Sequence, residues 1–160
     1  MTTSNRIMKI AEKLSRAPSR MQAFEVMEQE TKALFDHALF TVLRFDHDCG
    51  VMTRLYSNRP DVHPIGGIKP ITDSPWTRSV VQDGEPFIGR NKDDLRAVFF
   101  DHDLLFAIGC ESAFNAPIRW ENRVMGSMNM LGAENVYSAA NAKLARLCGQ
   151  LLAPLLLDAD

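Results

Sequence analysis

The 160-residue sequence predicts an α+β fold in which antiparallel strand pairs lie between amphipathic helices at the two ends of the chain. Three observations lead there. Apolar residues recur at helical spacing near both termini. The period falls to two in four runs between them. Each pair of runs is joined by a short polar turn, the connection that antiparallel neighbours use.

Taken in order, Ile7, Ile10, Ala11 and Leu14 keep an i, i+3, i+4, i+7 rhythm, which Pro18-Ser19 interrupts before Phe24, Met27, Thr31, Leu34 and Phe35 resume it. Two helices, or one bent helix, are expected. Residues 38–45 and 51–57 then read as strands around Asp46-His47-Asp48-Cys49-Gly50, a turn by composition. Ser74-Pro75-Trp76 through Asp83-Gly84 has a Ser cap, an early Pro and a closing Gly, the asymmetry of a short helix. Asp93-Asp94-Leu95 opens a further helical segment that runs through Phe99, Phe100 and His102 towards Ile108 and stops at Gly109. Residues 112–120 and 124–131 form a second hairpin around Glu121-Asn122-Arg123. Ser138 caps a last helix whose apolar face is Leu144, Leu147, Cys148, Leu151, Leu152 and Leu155.

Composition removes several function classes. With 18 Lys+Arg against 20 Asp+Glu and no basic cluster, the chain has no stripe for following phosphates, so no nucleic-acid partner is expected. Its N-terminus lacks the basic, apolar and small-residue order of a signal peptide. The most apolar stretch, residues 144–157, is interrupted by Arg146, Gln150 and Pro154 and is shorter than the roughly 20 residues that span a bilayer. No membrane partner is expected. Cys49, Cys110 and Cys148 are an odd set without metal-type spacing, which points to reduced thiols in the cytoplasm. Cys148 falls in the apolar helical stripe, and Cys49, beside Gly50, is the most reactive of the three.

The order helix, strand, strand, inserts, strand, strand, helix, together with IGCESAFNAPIRWENRVMGSMNML, resembles the GAF family, a small-molecule sensor module related to PAS. The likeness spans about residues 20 to 157: a glycine before a Ser-containing strand, Pro117 in mid-strand, residues 124–131 as the family's final hairpin, and Tyr137 at the start of the last helix. RLYSNRPDVHPIGG, SPWTRSVVQDGEPFIG and FFDHDLLFAIG further resemble small bacterial GAF proteins without an attached output domain. The resemblance implies a GAF/PAS-like central antiparallel sheet with terminal helices on one face and a ligand pocket beneath the inserts on the other. Residues 1–18 are then an N-terminal helical extension and residues 19–160 a single GAF domain.

The resemblance also excludes two ligand classes. Cyclic-nucleotide members carry Asn-Lys after the last strand and Phe-x-x-x-Asp-Glu beyond it, where this chain has Leu131-Gly132 and Tyr137 to Ala142. Bilin-binding members attach their chromophore through an insert cysteine typically followed by His, a context that none of the three cysteines has.

Phe-Asp-His-Asp occurs twice, at 45–48 and 100–103. Adjacent residues on a helix diverge by about 100°, so Asp101, His102 and Asp103 cannot all point at one ion. Asp46, His47, Asp48 and Cys49 could gather more easily, but a hydrated turn explains them equally well, and no metal or other cofactor is expected. Asp101 and His102 lie instead among Phe99, Phe100, Leu104, Leu105 and Phe106, where a buried polar group needs a partner or a ligand. Either the pair pins the insert or it touches what binds beneath. If the second hairpin has a three-residue loop, Asn115 opposes Asn129 and Pro117 opposes Ser127 on one face. Phe114, Ala116, Ile118, Val124, Gly126 and Met128 then fall on the other, whereas a two- or four-residue loop reverses that parity. The expected ligand contacts are Tyr56, Trp76, Phe99, Asp101, His102, Asn115 and Asn129, and Arg59, Lys69 and Arg78 surround the same inserts as candidates for a carboxylate or phosphate.

The expected function is a non-catalytic, cytoplasmic small-molecule sensor that homodimerises through its terminal helices. Two alternatives stand beside it. One is an enzyme like the free methionine-(R)-sulfoxide reductases, which are GAF proteins with pocket cysteines. The other is a dimerisation module whose pocket Met125, Met128 and Met130 have filled.

Overall fold

In the computed structural model, which describes residues 1–157, local capping sets the first boundaries. Thr2 and Ser19 accept hydrogen bonds from the Asn5 and Gln22 backbone N–H groups at 3.1 and 3.2 Å, starting α1 (Thr3–Ser15) and α2 (Arg20–Phe35). Asp36, at φ 51°, ends α2 in the left-handed region. Asn91 likewise caps α3 (Lys92–Arg96). The helical segment expected to continue to Ile108 breaks after Arg96 and restarts as α4 (His102–Ala107), so Phe100 and Asp101 lie in the turn between two short helices. At the C-terminal end, α5 (Ala139–Gln150) gives way to α6 (Ala153–Leu157), with Pro154 in the first turn, where its missing N–H costs nothing.

The strands are β1 (Leu39–Asp46), β2 (Val51–Ser57), β3 (Ile68–Pro70), β4 (Phe87–Gly89), β5 (Ser112–Trp120) and β6 (Arg123–Gly132). They form one antiparallel sheet in the order β3-β2-β1-β6-β5-β4. The two expected hairpins are thus its centre, joined through β1 and β6. The edge strands β3 and β4 have three residues each, too few to show a two-residue period in sequence.

One face of the sheet buries the terminal helices. Phe24 and Met27 of α2, Ile10 of α1, and Cys148 and Leu152 near the C-terminus pack on Phe40, Phe114 and Met128. Each such side chain contributes roughly 1.5–3 kcal/mol by leaving water. Tyr137 is buried in the same core, and its hydroxyl has no hydrogen-bond partner among the described residues. Tyr137→Phe is therefore expected to raise stability in urea denaturation by up to about 1 kcal/mol, because an unsatisfied polar atom is removed without loss of volume. A loss of similar size would show that the hydroxyl is satisfied.

Two bulges decide which side chains reach the opposite face. In β2, Arg54 pairs with Leu43 and Tyr56 with Val42, leaving Leu55 as an extra residue. Alternation therefore reverses there. Met52 and Arg54 face the inserts, while Tyr56 joins the helix-side core against Phe24 and Phe40 and donates its hydroxyl proton to Glu28. In β6, Gly126 pairs with Ile118 and Val124 with Arg119, leaving Met125 as the extra residue. The turn itself has two residues, Glu121 and Asn122 at φ 53° and 60°, as a tight hairpin of the primed type requires. A two-residue turn alone would have put Asn115 and Asn129 on opposite faces of the sheet. The Met125 bulge restores their expected face and moves only Val124, which packs with Phe45, Val80 and Val81 beneath the inserts.

Candidate functional site

The insert-facing side of the sheet is not filled. Between it and the chain segments at 63–77 and 98–105 lies a cavity of about 200 Å³. One ordered water needs only about 10–15 Å³ on the same measure, so the space suits a small organic molecule. Leu39, Leu43, Met52, Phe99, Leu105 and Leu131 give it apolar walls.

Its floor carries a line of polar groups that the sheet register creates. Thr41 pairs with Asn129, and Asn129 with Asn115, so three neighbouring strands present polar side chains at one level. Trp76 Nε1 donates to Asn115 Oδ1 at 3.0 Å, Asn115 Nδ2 to Asn129 Oδ1 at 2.8 Å, and Asn129 Nδ2 to Thr41 Oγ1 at 3.2 Å. Indole can only donate, so it fixes which end of Asn115 faces it, and that choice orients Asn129 in turn. Trp76 is held by Ser74, whose Oγ accepts from Thr77 N–H at 3.1 Å and opens the π-helical segment Thr77–Gln82, and by edge-on packing against Phe45.

The other wall is charged. Arg54 is buried at 8% exposure, and its Nη1 donates to the Pro64 carbonyl at 3.2 Å. Gly67 makes room for it: a Cβ there would stand 2.8 Å from Arg54 Nη1. Lys69 reaches the cavity from β3, across the ladder from Met52. Burial pulls its pKa below the usual lysine value, and the neighbouring Arg54 charge adds to that, while Asp101 opposes it. Asp101 accepts a hydrogen bond from His63 Nε2 at 3.2 Å. That bond holds its carboxyl below the usual range against the effect of burial, with the His63 and Lys69 charges acting in the same direction.

Of the expected contacts, Trp76, Phe99, Asp101, Asn115 and Asn129 line the cavity. Tyr56 does not, because the Leu55 bulge turns it to the helix side. His102 does not either: it stacks on Phe106 at 5.6 Å between ring centroids and its Nδ1 pairs with Asp103 at 3.1 Å. Asp101 and His102 are adjacent at a helix start, so an inward Asp101 sends His102 outward. The imidazole that does meet Asp101 is His63, from the loop after β2. Arg59 and Arg78 are tied to Asp61 and Asp73 at 2.8 and 2.7 Å on the surface, whereas Lys69 is a lining residue.

The first Phe-Asp-His-Asp is a structural turn. Asp46 Oδ1 accepts from the backbone N–H groups of Asp48 and Cys49 at 3.1 and 2.9 Å, and His47 Nε2 meets the Val124 carbonyl at 2.7 Å. Cys110 and Cys148 are buried, which pushes both thiols up to about 12, and Cys49 is exposed with its pKa raised by Asp46. Among the described residues no cysteine lines the cavity. No described helix is long and apolar enough to cross a membrane.

An antiparallel sheet with terminal helices behind it and a polar-floored cavity under inserts places the chain in the GAF/PAS class of α+β architecture. No protein-family model matches the sequence, and no curated protein matches it. Solved structures do match. The GAF domain of an Acinetobacter phosphoenolpyruvate-protein phosphotransferase is 15% identical, with 99% of this chain and 96% of that one covered at a TM-score of 0.76. The corresponding domain from Coxiella burnetii is 13% identical over 94% and 90% of the two chains, also at 0.76. The phycocyanobilin-bound GAF domain of a cyanobacterial phytochrome is 19% identical over 98% and 94%, at 0.71. At such identities these likenesses speak for the fold, and the fold is that of a GAF domain.

Proposed function

We propose that this chain is a non-catalytic sensor module that encloses a small molecule between its sheet and its inserts. The observation that carries the reading is the cavity itself, apolar on most sides, with a hydrogen-bonded polar line across its floor and charged groups in one wall. Sites that orient small ligands combine these features. The phytochrome relative holds a phycocyanobilin in its GAF domain, which supports the same use of the fold here with a different ligand.

On this reading ligand contact orders the segments at 63–77 and 98–105, and the sheet passes that change to the helices on its other face. Residues 1–18 act as a helical extension of the domain at 19–160, anchored by Ile10 in the shared core. Met8 on α1 and Leu147 on α5 are exposed apolar side chains and are assigned to a homodimer contact through the terminal helices. Three free thiols suit the cytoplasm.

The reductase reading asks for a thiol at the cavity, and the cysteine positions argue against it. The filled-pocket reading is opposed by Met128 and Met130, which pack on the helix side. Native mass spectrometry of the purified protein tests the proposal: a bound mass that is released on denaturation is expected. Thiol-dependent reduction of free methionine sulfoxide, lost in Cys110→Ser, would replace it with the enzyme.

A further inference from the structure

The charged wall of the cavity is unbalanced. Arg54, Lys69 and Asp101 face it, two cations against one carboxylate. That carboxylate is already engaged by His63. Among the described residues neither Arg54 nor Lys69 has a carboxylate within salt-bridge distance, although other Lys and Arg side chains such as Arg59, Arg78 and Arg96 do. Arg54 Nε is buried without a hydrogen-bond partner among the described residues, as is His63 Nδ1.

A guanidinium held at 8% exposure with an unsatisfied N–H is costly to the folded protein. A methionine would fill the same volume without that cost. Burial lowers the pKa of both cations, and the charge of Arg54 also bears on Lys69. An anion placed against them relieves that repulsion. Guanidinium suits this role, since its fork meets two oxygens of one carboxylate or phosphate at once.

Resting on the reading of the cavity as a ligand site, we propose that its ligand is a small organic acid, with its carboxylate or phosphate oxygens on Arg54 and Lys69 and its apolar body against Leu39, Met52 and Leu131. Asn115 keeps one Nδ2 hydrogen beyond the floor chain and meets a polar group on that body, while the amide hydrogens of Asn129 are taken by Thr41 and Ser127. The single carboxylate, Asp101, stands beside the anion site and discourages a second negative group.

The test uses the full chain and matched pairs of compounds: benzoate, phenylacetate and isovalerate against benzamide, phenylacetamide and isovaleramide, with phenyl phosphate as the phosphate arm. Binding is read by isothermal titration in wild type, Arg54→Met, Lys69→Met and Lys69→Gln. Acids are expected to bind at least tenfold more tightly than their amides, and each substitution to remove most of that preference. Comparison of benzoate with phenyl phosphate assigns the oxyanion. Unliganded Arg54→Met is expected to be no less stable than wild type, and the Lys69 variants, at a half-buried position, read the same preference if Arg54→Met fails to fold. Amides binding as well as acids, or an acid preference that survives all three substitutions, overturns the anion assignment and leaves the cavity reading standing. If no compound of either charge binds, and no co-purified molecule is found, both fail.

Discussion

Gly126→Ala is expected to lower the unfolding free energy by roughly 3 kcal/mol, at the upper end of what overpacking costs. A Cβ at this position would stand 2.1 Å from the Leu43 carbonyl oxygen and 2.5 Å from Leu156 Cδ2. The first contact is with backbone. Leu43 lies on β1, the strand paired with β6, so no rotamer change can clear the clash and the two central strands must part. Gly126 pairs with Arg44 on β1, next to Leu43. Adding Leu156→Ala removes the softer contact only and is expected to recover little of the loss. A urea midpoint for Gly126→Ala near that of wild type would show that β6 is not held against Leu43 as described.

Between pH 6.5 and 4 the protein is expected to lose about 3 kcal/mol of stability through one histidine. His37 is almost fully buried; its Nε2 meets Thr31 Oγ1 at 2.9 Å, and its Nδ1 has no partner among the described residues. Thr31 donates its own proton to the Met27 carbonyl at 2.7 Å, so the threonine oxygen accepts from Nε2–H and the ring is neutral. Protonation would put a second N–H at the unpartnered Nδ1. Burial, with help from the Lys32 charge, lowers the pKa from 6.5 to about 4. The sign follows: between those values the unfolded chain takes up a proton that the folded protein refuses, so stability is full above about 6.5 and falls as pH drops towards 4. Urea unfolding at pH 7, 5.5 and 4.2 measures the slope. In His37→Gln, whose amide can still donate to Thr31, most of the slope should vanish; an unchanged slope assigns the acid sensitivity elsewhere.

The parts of this structure that sequence made legible are those governed by short-range chemistry. Caps at Ser74 and Ser138, the Asp46 turn and the central hairpins each follow from residues a few positions apart. Bulges do not. Nothing in VMTRLYS marks Leu55 as the extra residue, because both alternating sets mix apolar and polar side chains, and Tyr56 was consequently expected on the wrong face. At the second hairpin a shorter turn and an unforeseen bulge offset one another, so Asn115 and Asn129 were placed correctly from a loop length that was off by one.

The candidate site shows the same division. Trp76 is legible because its Ser74 cap is a local feature, whereas the face of the two asparagines follows only from the offsetting turn and bulge. Arg54 and His63 are not legible: an arginine in a strand reads as a solvent-facing residue, and a histidine in PDVHPIGG has no pattern to place it. The pairing of Arg54 with the Gly66-Gly67 backbone helps fold that loop across the cavity, with backbone hydrogen bonds of 2.8 and 2.7 Å. The glycines were the available signal, since a Gly-Gly pair beside a strand marks close backbone approach.

If the space between sheet and inserts is a ligand site, plugging it abolishes binding. Leu131 lines the cavity, so Leu131→Trp would fill part of it from within. Thermal shifts of wild type and Leu131→Trp, measured against one library of small metabolites, are expected to separate. Compounds that stabilise wild type, by about 2.7 kcal/mol at 100 times Kd, should leave Leu131→Trp unmoved. Compounds that stabilise both proteins equally, or a library in which none moves wild type, would contradict the claim.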